Sequence, residues 1–317
     1  MAGQRPRIDA VATDCDSWDR PLGSSAVNDA CLESLDVTAC LRETPLRQLV
    51  QTLDLQPGSC GLDVGSGSGL GTILLARAIG SAGHVTGLDL DPELTAHARQ
   101  RVARVGLSER VSLCEGDAAH LPFGDATFDW AFSSDCVGYG PWDTAAMLAE
   151  LARVVRPRGS VGLAFWSSET LLPGHPVLEA HLRSTRAGIA PFRDGAEPST
   201  HPLRLLGALR DAGFVECTVH AAVGTVGAPL SREVRRALVA LFEMRWPGAE
   251  AELAEADRVE FRRLCRPDSA DCVLGSPDYC ALFTLSLFRG VVPDPPPAQS
   301  GGRLGGANDS RAGRRCC

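Results

Sequence analysis

Residues 60–166 alternate between strand-like and helix-like segments, and this alternation constrains the fold more than any other feature of the sequence. Helical patterns separate most of the strand-like segments, and the helix predicted for 92–106 begins with proline and ends with glycine. The five predicted strands are 60–64, 84–90, 111–117, 128–135 and 160–166. Since such alternation is typical of a parallel sheet with helices on both faces, we predict an α/β fold. Right-handed crossovers then bring the carboxyl ends of the strands to one edge of the sheet.

The segments that flank this stretch are predicted to complete one domain, residues 45–292. Before the stretch, residues 1–44 are expected to form an N-terminal cap segment, and a helix is predicted for 45–54 with Pro45 at its first helical position. The RPRG segment that precedes the fifth strand is predicted to be a turn. The remaining predicted elements are a helix at 202–214, a strand at 215–223 and a last strand at 278–292.

An insertion is predicted between the last two strands, at residues 229–277. It carries two helical patterns, at 231–246 and 249–265, separated by proline and glycine. We expect this helical insertion to lie as a lid near the sheet edge. Beyond it, residues 293–317 are rich in proline and glycine, which predicts a disordered tail.

Composition excludes several classes of protein. The chain has 317 residues and is 44% hydrophobic, which is enough for a sizeable core. Its net charge of −8 argues against a partner such as nucleic acid or an anionic membrane. The sequence contains no lysine, which excludes a Schiff-base mechanism on this chain. With no apolar leader, no run long enough to span a bilayer and no C-x-x-C pair, we expect a cytoplasmic protein without a membrane span or a metal site.

The first predicted strand runs directly into a glycine-rich turn, LDVGSGSG at 62–69. Its glycines stand at 65, 67 and 69, whereas the dinucleotide fingerprint needs Gly-x-Gly-x-x-Gly and a P-loop needs a lysine. A nicotinamide-dependent oxidoreductase is therefore disfavoured. Glycines let the backbone approach a ligand closely, and the acidic Asp63 before them suits a cationic ligand with an amino group.

Two further acidic residues end predicted strands at the same edge. Asp89 ends the second strand, where a carboxylate can accept hydrogen bonds from both hydroxyls of a ribose. Asp117 ends the third strand, where it could accept a hydrogen bond from an adenine amino group. The alternative is that Asp63 and Asp117 cap a helix or a turn, and that the glycines only permit tight turns.

Four segments, in this order, resemble the motifs of class I S-adenosylmethionine-dependent methyltransferases: LDVGSGSG, VTGLDLDPE, GDAAHLPFGDATFDWAF and ELARVVRPRGSVGLAF. They are most similar to the ubiquinone/menaquinone C-methyltransferase-like (methyltransferase type 11) branch. The resemblance covers residues 58–167. It implies a Rossmann-like, doubly wound, mostly parallel seven-stranded sheet and S-adenosyl-L-methionine as cofactor. It also implies methyl transfer to an O, N or C atom of a small-molecule acceptor.

The resemblance also implies which residues bind the cofactor. The methionine part would lie against the end of the first strand and its turn, the ribose and adenine against the second and third strand ends, and the sulfonium beside the tip of the fourth strand. In that order, the implied residues are Asp63, Gly65, Ser66 and Gly67, then Asp89, Leu90, Asp117 and Ala118, and finally Ser133.

The residues that would handle the acceptor are less distinctive, because methyl transfer needs mainly alignment and a dry cavity. Tyr139 is a candidate to orient the acceptor, or it packs under the lid. His175, in a loop after the fifth strand, is a candidate general base, or it is a surface residue. The arginines of the insertion could meet an acidic substrate, or they form a solvated face. These arginines are Arg232, Arg235, Arg236 and Arg245.

Three alternatives to this function remain open. Cys136 is similar in position to a cysteine of arsenite methyltransferases, and its other interpretation is a buried structural thiol. An aminopropyl transferase would use the same fold, although it usually has several acidic residues after the fourth strand and only Asp135 is present. A non-catalytic protein that binds S-adenosylmethionine would share the cofactor motifs without the reaction.

Overall fold

The computed structural model describes residues 29–140, 142–193 and 195–295, and in this part of the chain seven strands form one sheet. They are β1 (Cys60–Val64), β2 (His84–Asp89), β3 (Val111–Glu115), β4 (Phe128–Ser134), β5 (Val155–Thr170), β6 (Val215–Gly227) and β7 (Cys280–Val291). Their order is β3-β2-β1-β4-β5-β7-β6. Only β7 runs antiparallel to its neighbours. The predicted α/β class, with a Rossmann-like, mostly parallel seven-stranded sheet, is confirmed.

Helices connect these strands and cover both faces of the sheet. The α-helices of the described residues are α1 (Asp29–Thr52), α2 (Leu70–Ala78), α3 (Pro92–Arg104), α4 (Thr144–Val154), α5 (Pro176–Arg183), α6 (Arg186–Ile189), α7 (Leu205–Asp211), α8 (Arg232–Arg245) and α9 (Glu255–Cys265). Several begin at a side-chain cap: Asp91 accepts hydrogen bonds from two backbone N–H groups of α3, and Ser231 accepts one from α8.

Two buried clusters, one on each face of the sheet, hold the helices in place. Successive residues of β5 alternate between them: Leu163 and Phe165 pack in one cluster, and Ala164 and Trp166 in the other. The parallel register aligns the strand tips, since Val64 of β1 pairs with Leu88 of β2. The carboxyl ends of β1, β2, β4 and β5 therefore meet at one edge, as predicted.

The start of the first helix was predicted wrongly. Pro45 lies inside α1, and the boundary proposed between residues 44 and 45 falls within this helix. Thr38, Leu41, Pro45 and Leu49 are buried at intervals of three and four, so one face of the helix continues across the proline. Burial of that face outweighs the ~3 kcal/mol that an interior proline costs a helix.

The RPRG segment is not the separate turn that was predicted. It belongs to β5, which begins at Val155, and the register with β4 shifts between Phe128 and Trp130 to accommodate it. Arg158 has a φ of 64° and donates its backbone N–H to the carbonyl of Val292 at 2.8 Å. The segment is thus a bulge that stays hydrogen-bonded to the end of β7.

Helices α8 and α9 lie between β6 and β7, inside the insertion predicted at 229–277. Because β6 is parallel to β5, its end and the start of β7 place this insertion at the same sheet edge as the strand tips. Residues 1–28 of the predicted cap segment, and the predicted tail from residue 296 on, lie outside the described residues. None of the described helices combines the length and the apolar character that crossing a bilayer requires.

Candidate functional site

The glycine turn between β1 and α2 is held close to the tip of β2. The backbone N–H groups of Gly65 and Ser66 both donate to the carbonyl of Leu88, at 2.8 and 3.0 Å. Gly65 has a φ of 74°, and a Cβ at this residue would lie 2.4 Å from the Cβ of Cys136. Gly67 has a φ of 50°, but a Cβ there would have no atom within 4 Å. Gly65 thus permits close packing inside the protein, while Gly67 faces open space.

Asp63 is a buried carboxyl group directly beneath this turn. Its side chain accepts a hydrogen bond from the Thr72 hydroxyl at 2.5 Å, and the residue is only 1% exposed. Burial raises the pKa of Asp63 to about 7; the Thr72 hydrogen bond lowers it, and the charge of Asp89 adds to the increase. The carboxyl group of Asp63 therefore ionises near neutral pH, and little water reaches it to stabilise the charge.

Asp89 links the tip of β2 to the glycine turn. Its Oδ2 accepts the backbone N–H of Gly67 at 2.8 Å, and its Oδ1 accepts the backbone N–H of Asp91 at 3.0 Å. Burial raises the pKa of Asp89, and these backbone donors oppose the increase. Each carboxylate oxygen has a second lone pair, so the group retains acceptor capacity for a ligand.

The residues predicted to contact an adenine follow along the same edge. Leu90 is 47% exposed immediately after Asp89, which leaves an apolar surface free beside the carboxylate. Ala118 is buried. Asp117 uses Oδ1 to accept the backbone N–H of Ala119 at 2.8 Å, and its Oδ2 lies 3.4 Å from Nδ1 of His120. This turn contact supports the alternative that Asp117 caps a turn.

The tip of β4 closes the site on the other side of the turn. Ser133 is buried, and its hydroxyl accepts the backbone N–H of Val137 at 3.1 Å. Cys136 packs against Gly65, and burial raises the pKa of its thiol to about 12. Tyr139 stacks on Phe165 with ring centroids 5.6 Å apart. Ser133 and Cys136 thus hold the loop at this corner, whereas Tyr139 is only half-buried.

His175 lies further away, at the start of α5. Its Nδ1 is 3.3 Å from a carboxylate oxygen of Glu260 in α9, so its charged partner belongs to the insertion. Among the described residues, its contacts are with α5, α9 and the loop before α5 and not with the glycine turn. The structure therefore places Tyr139, but not His175, on the loop whose Cys136 contacts the glycine turn.

Two residues of α1 belong to the site and were missed in the sequence. Asp36 pairs with His97 and Arg101 of α3, at 2.7 and 3.2 Å, and Arg101 also donates to Ser68 of the glycine turn at 3.0 Å. Six residues later, Arg42 forms an ion pair with Asp135 at the tip of β4. Helix α1 therefore reaches the glycine turn through Arg101 and contacts the tip of β4 directly.

Two buried carboxyl groups, Asp63 and Asp89, flank the glycine turn. The Ser66 hydroxyl of this turn is buried and has no hydrogen-bond partner among the described residues. No group of three or more His, Cys, Asp or Glu in the described ranges is placed to hold a metal ion. The corner thus offers carboxylate and hydroxyl groups of the kind that bind a cation and a diol.

Comparisons with known proteins agree with this geometry. Residues 62–159 match a family described as a methyltransferase domain. The demethylmenaquinone methyltransferase of Bacillus cytotoxicus is 38% identical over 130 residues, which are 40% of this chain and 52% of that protein. The same enzyme of Lactobacillus johnsonii is 32% identical over 137 residues, which are 42% of this chain and 52% of that protein. The chain thus spans about half the length of the curated relatives it matches.

A solved structure of a SAM-dependent methyltransferase from Aquifex aeolicus is also similar, with a TM-score of 0.45 and 22% identity over 62% of this chain and 91% of that chain. The matched segment 62–159 contains the glycine turn and the tips of β1 to β4. Residues 62–159 are therefore similar to a methyltransferase domain, as the four motifs predict.

Proposed function

We propose that this protein transfers the methyl group of S-adenosylmethionine to an O, N or C atom of a small molecule. The observation that carries the proposal is the convergence of Asp63, Ser66, Gly67 and Asp89 at the first βα corner. These residues fit the cofactor. The buried carboxyl of Asp63 suits an ammonium group, Asp89 retains acceptors for two hydroxyls, and the exposed Leu90 suits an adenine ring.

In this proposal the chain contributes binding and alignment. When bound, S-adenosylmethionine supplies an electrophilic methyl group on a sulfonium. Asp63 and the glycine turn hold the amino-acid end, and Asp89 orients the ribose. Asp117 and Ala118 would line the adenine edge, and Ser133 fixes the loop beside the methyl group through its hydrogen bond with Val137. Holding two reactants in line replaces a bimolecular encounter with an intramolecular one.

Helices α1 and α8 would exclude water from the acceptor side. They pack against each other, and both send arginines toward the strand tips. We assign the insertion that contains α8 and α9 as the lid, and Tyr139, stacked on Phe165, as a residue that orients the acceptor. A cytoplasmic location for this reaction remains a prediction from the sequence.

Thermal shift and methyl-transfer measurements test the function. We expect S-adenosylmethionine, but not NAD, to raise the melting temperature, with ~2.7 kcal/mol of stabilisation at a hundredfold excess over Kd. We also expect transfer of an isotope-labelled methyl group to small molecules of a metabolite extract. Stabilisation by NAD alone would overturn the proposal. Stabilisation by S-adenosylmethionine without any transfer would make the protein a non-catalytic binder.

The alternative of thiol-based arsenite chemistry depends on Cys136. A thiol must lose its proton to act as a ligand or nucleophile, and burial raises the pKa of this one to about 12. Burial also raises the pKa of four other thiols, which are Cys40, Cys114, Cys217 and Cys265. These observations support a structural role for Cys136.

Cofactor affinity should depend on pH through Asp63. Since the pKa of Asp63 is raised to about 7, the free protein holds this group mostly neutral below that pH, and an ammonium group binds the ionised form. We expect affinity for S-adenosylmethionine to increase by up to about tenfold per pH unit until about pH 7 and then to level off. Calorimetric titration at several pH values measures this slope.

The raised pKa of Asp63 has the opposite effect on the stability of the ligand-free protein, which decreases as pH rises. A carboxyl whose folded pKa lies above its unfolded pKa stabilises the fold less as pH rises, here from about 4 to about 7. The variant Asp63→Asn should bind the cofactor more weakly and without the pH slope. A slope that persists in Asp63→Asn would assign the titration to another group, such as Asp89, and contradict the prediction.

The general-base role of His175 remains a prediction with a direct test. If His175 accepts a proton during transfer, His175→Ala should lower kcat by about 10²–10⁴. Glu260→Gln, which removes its ion-pair partner, serves as the control. A full rate for His175→Ala at every pH would leave the residue as a surface contact between α5 and α9, the alternative that its pairing with Glu260 supports.

A further inference from the structure

Two arginines from different helices lie next to the contact between β4 and β5 in which Asp135 accepts the backbone N–H of Trp166 at 3.0 Å. Arg42 of α1 pairs with Asp135 and donates to the Ser134 hydroxyl at 3.3 Å. Arg245 of α8 has its guanidinium 5.1 Å from the ring centre of Trp166, and it lies 3.3 Å from a carboxylate oxygen of Glu169. We refer to Arg42 and Arg245 as the arginine pair. Their side chains are 19% and 21% exposed, so solvent still reaches both.

The arginine pair is next to the proposed cofactor pocket. Asp135, the partner of Arg42, directly precedes Cys136, and Cys136 is the residue that a Cβ at Gly65 would strike. Tyr139 follows on the same loop, where its backbone N–H donates to the carbonyl of Cys136 at 3.1 Å. The arginine pair therefore lies on the side of the glycine turn that the tip of β4 forms. Asp135, which pairs with Arg42, is the sequence neighbour of Cys136, which packs against the turn.

The N–H donors of this pair are incompletely used. Arg245 has five N–H donors, yet its Nε is buried without a hydrogen-bond partner among the described residues. Its ionic partner Glu169 also accepts the indole N–H of Trp166, and thus shares its carboxylate. Burial lowers the pKa of Arg42 to about 10; Tyr139 opposes this decrease and the charge of Arg245 adds to it. The unused donors of two partly buried guanidinium groups can bind a further acceptor such as a carboxylate.

Asp135, Glu169 and Tyr139 are the other charged or titratable groups at this place. The two carboxylates balance the two guanidinium groups, so a dianion such as a phosphate would be repelled by them. A planar monoanion can accept two parallel N–H groups from one guanidinium. The half-buried ring of Tyr139 offers an apolar surface for the rest of such a molecule.

We propose that the arginine pair binds a carboxylate of the methyl acceptor, so that the substrate is a small organic acid held with its acidic group between α1 and α8. The identification of the ligand as the methyl acceptor rests on the proposed function. The binding of a carboxylate at this site can be tested without methyl transfer. It assigns Arg42 and Arg245 as specificity-determining residues.

The experiment compares benzoate with benzamide, which differ in charge and hardly in shape. Binding of each to the full chain is measured by ligand-observed NMR and calorimetry at millimolar concentrations, with and without S-adenosylmethionine. We expect wild-type protein to prefer benzoate by at least about tenfold. Arg245→Gln should remove the preference, and Arg245→Lys should retain only part of it. Arg232→Gln, at the exposed start of the same helix, is the matched control and should keep it.

Equal binding of benzoate and benzamide, or binding of neither, would overturn the proposal. A lower melting temperature of Arg245→Gln with an unchanged benzoate preference would also overturn it, since Arg245 would then only hold α8 against β5. Arg42→Gln provides a second test of the same preference. If S-adenosylmethionine fails to bind while the benzoate preference is present, the proposed function fails and the anion site stands.

Discussion

Asp89→Ala is expected to weaken S-adenosylmethionine binding strongly while the sheet stays folded. The variant loses an acceptor for each of two ribose hydroxyls, and charge-assisted bonds contribute roughly 1.5–3 kcal/mol each. The expected decrease in affinity is therefore about 10²–10⁴-fold. The carboxylate also accepts the backbone N–H groups of Gly67 and Asp91, so the variant loosens the glycine turn as well. A stability loss of about 1–3 kcal/mol is expected from these unpaired donors.

Asp91→Ala is the matched control, because Asp91 is an acidic residue of the same motif with a different role. Its Oδ1 accepts the backbone N–H groups of Glu93 and Leu94, which caps α3. Losing this cap should cost about 1 kcal/mol of stability with little change in affinity. Calorimetric titration and thermal unfolding of both variants separate the two effects. Equal affinities of Asp89→Ala and wild type would mean that the ribose lies elsewhere.

The convergence of the predicted site residues at one sheet edge could be predicted from the sequence because these residues belong to neighbouring connections of the chain. Asp63 and Gly65 lie on one βα connection, and Asp89 ends the next parallel strand, so topology alone brings them to one edge. Burial was not predictable in the same way. The buried position of Ser133, and the hydrogen bond that occupies its hydroxyl, depend on how the β4 tip folds back on itself.

The positions of Arg42 and Arg245 could not be predicted, since these residues are far apart in the sequence. Arg42 belongs to a helix whose start was placed at Pro45, because proline usually marks the first turn. A signal was present in the buried positions Thr38, Leu41 and Leu49, which share a helical face with the proline. Arg245 was recognised as a candidate for an acidic substrate, but its position over Trp166 depends on tertiary packing.

Gly67→Val should eliminate cofactor binding, with a loss in affinity of more than about 100-fold, while the fold persists. Gly67 has a φ of 50°, which a β-branched residue adopts only with strain, at a cost of about 1–3 kcal/mol in stability. The new side chain would meet no protein atom near its Cβ. It would instead fill the space in which the proposed ligand approaches the turn, so the loss of affinity exceeds what strain alone explains.

Gly106→Val separates the strain from the blocked space. Gly106 has a φ of 71°, and a Cβ there also has no atom within 4 Å. This residue lies between α3 and β3, at the edge of the sheet opposite to the strand tips. Both variants should lower the melting temperature by similar amounts, and only Gly67→Val should lose S-adenosylmethionine in calorimetric titration. If the two variants bind the cofactor equally well, the space beside Gly67 does not hold the ligand, and the binding site must be placed away from the first βα corner.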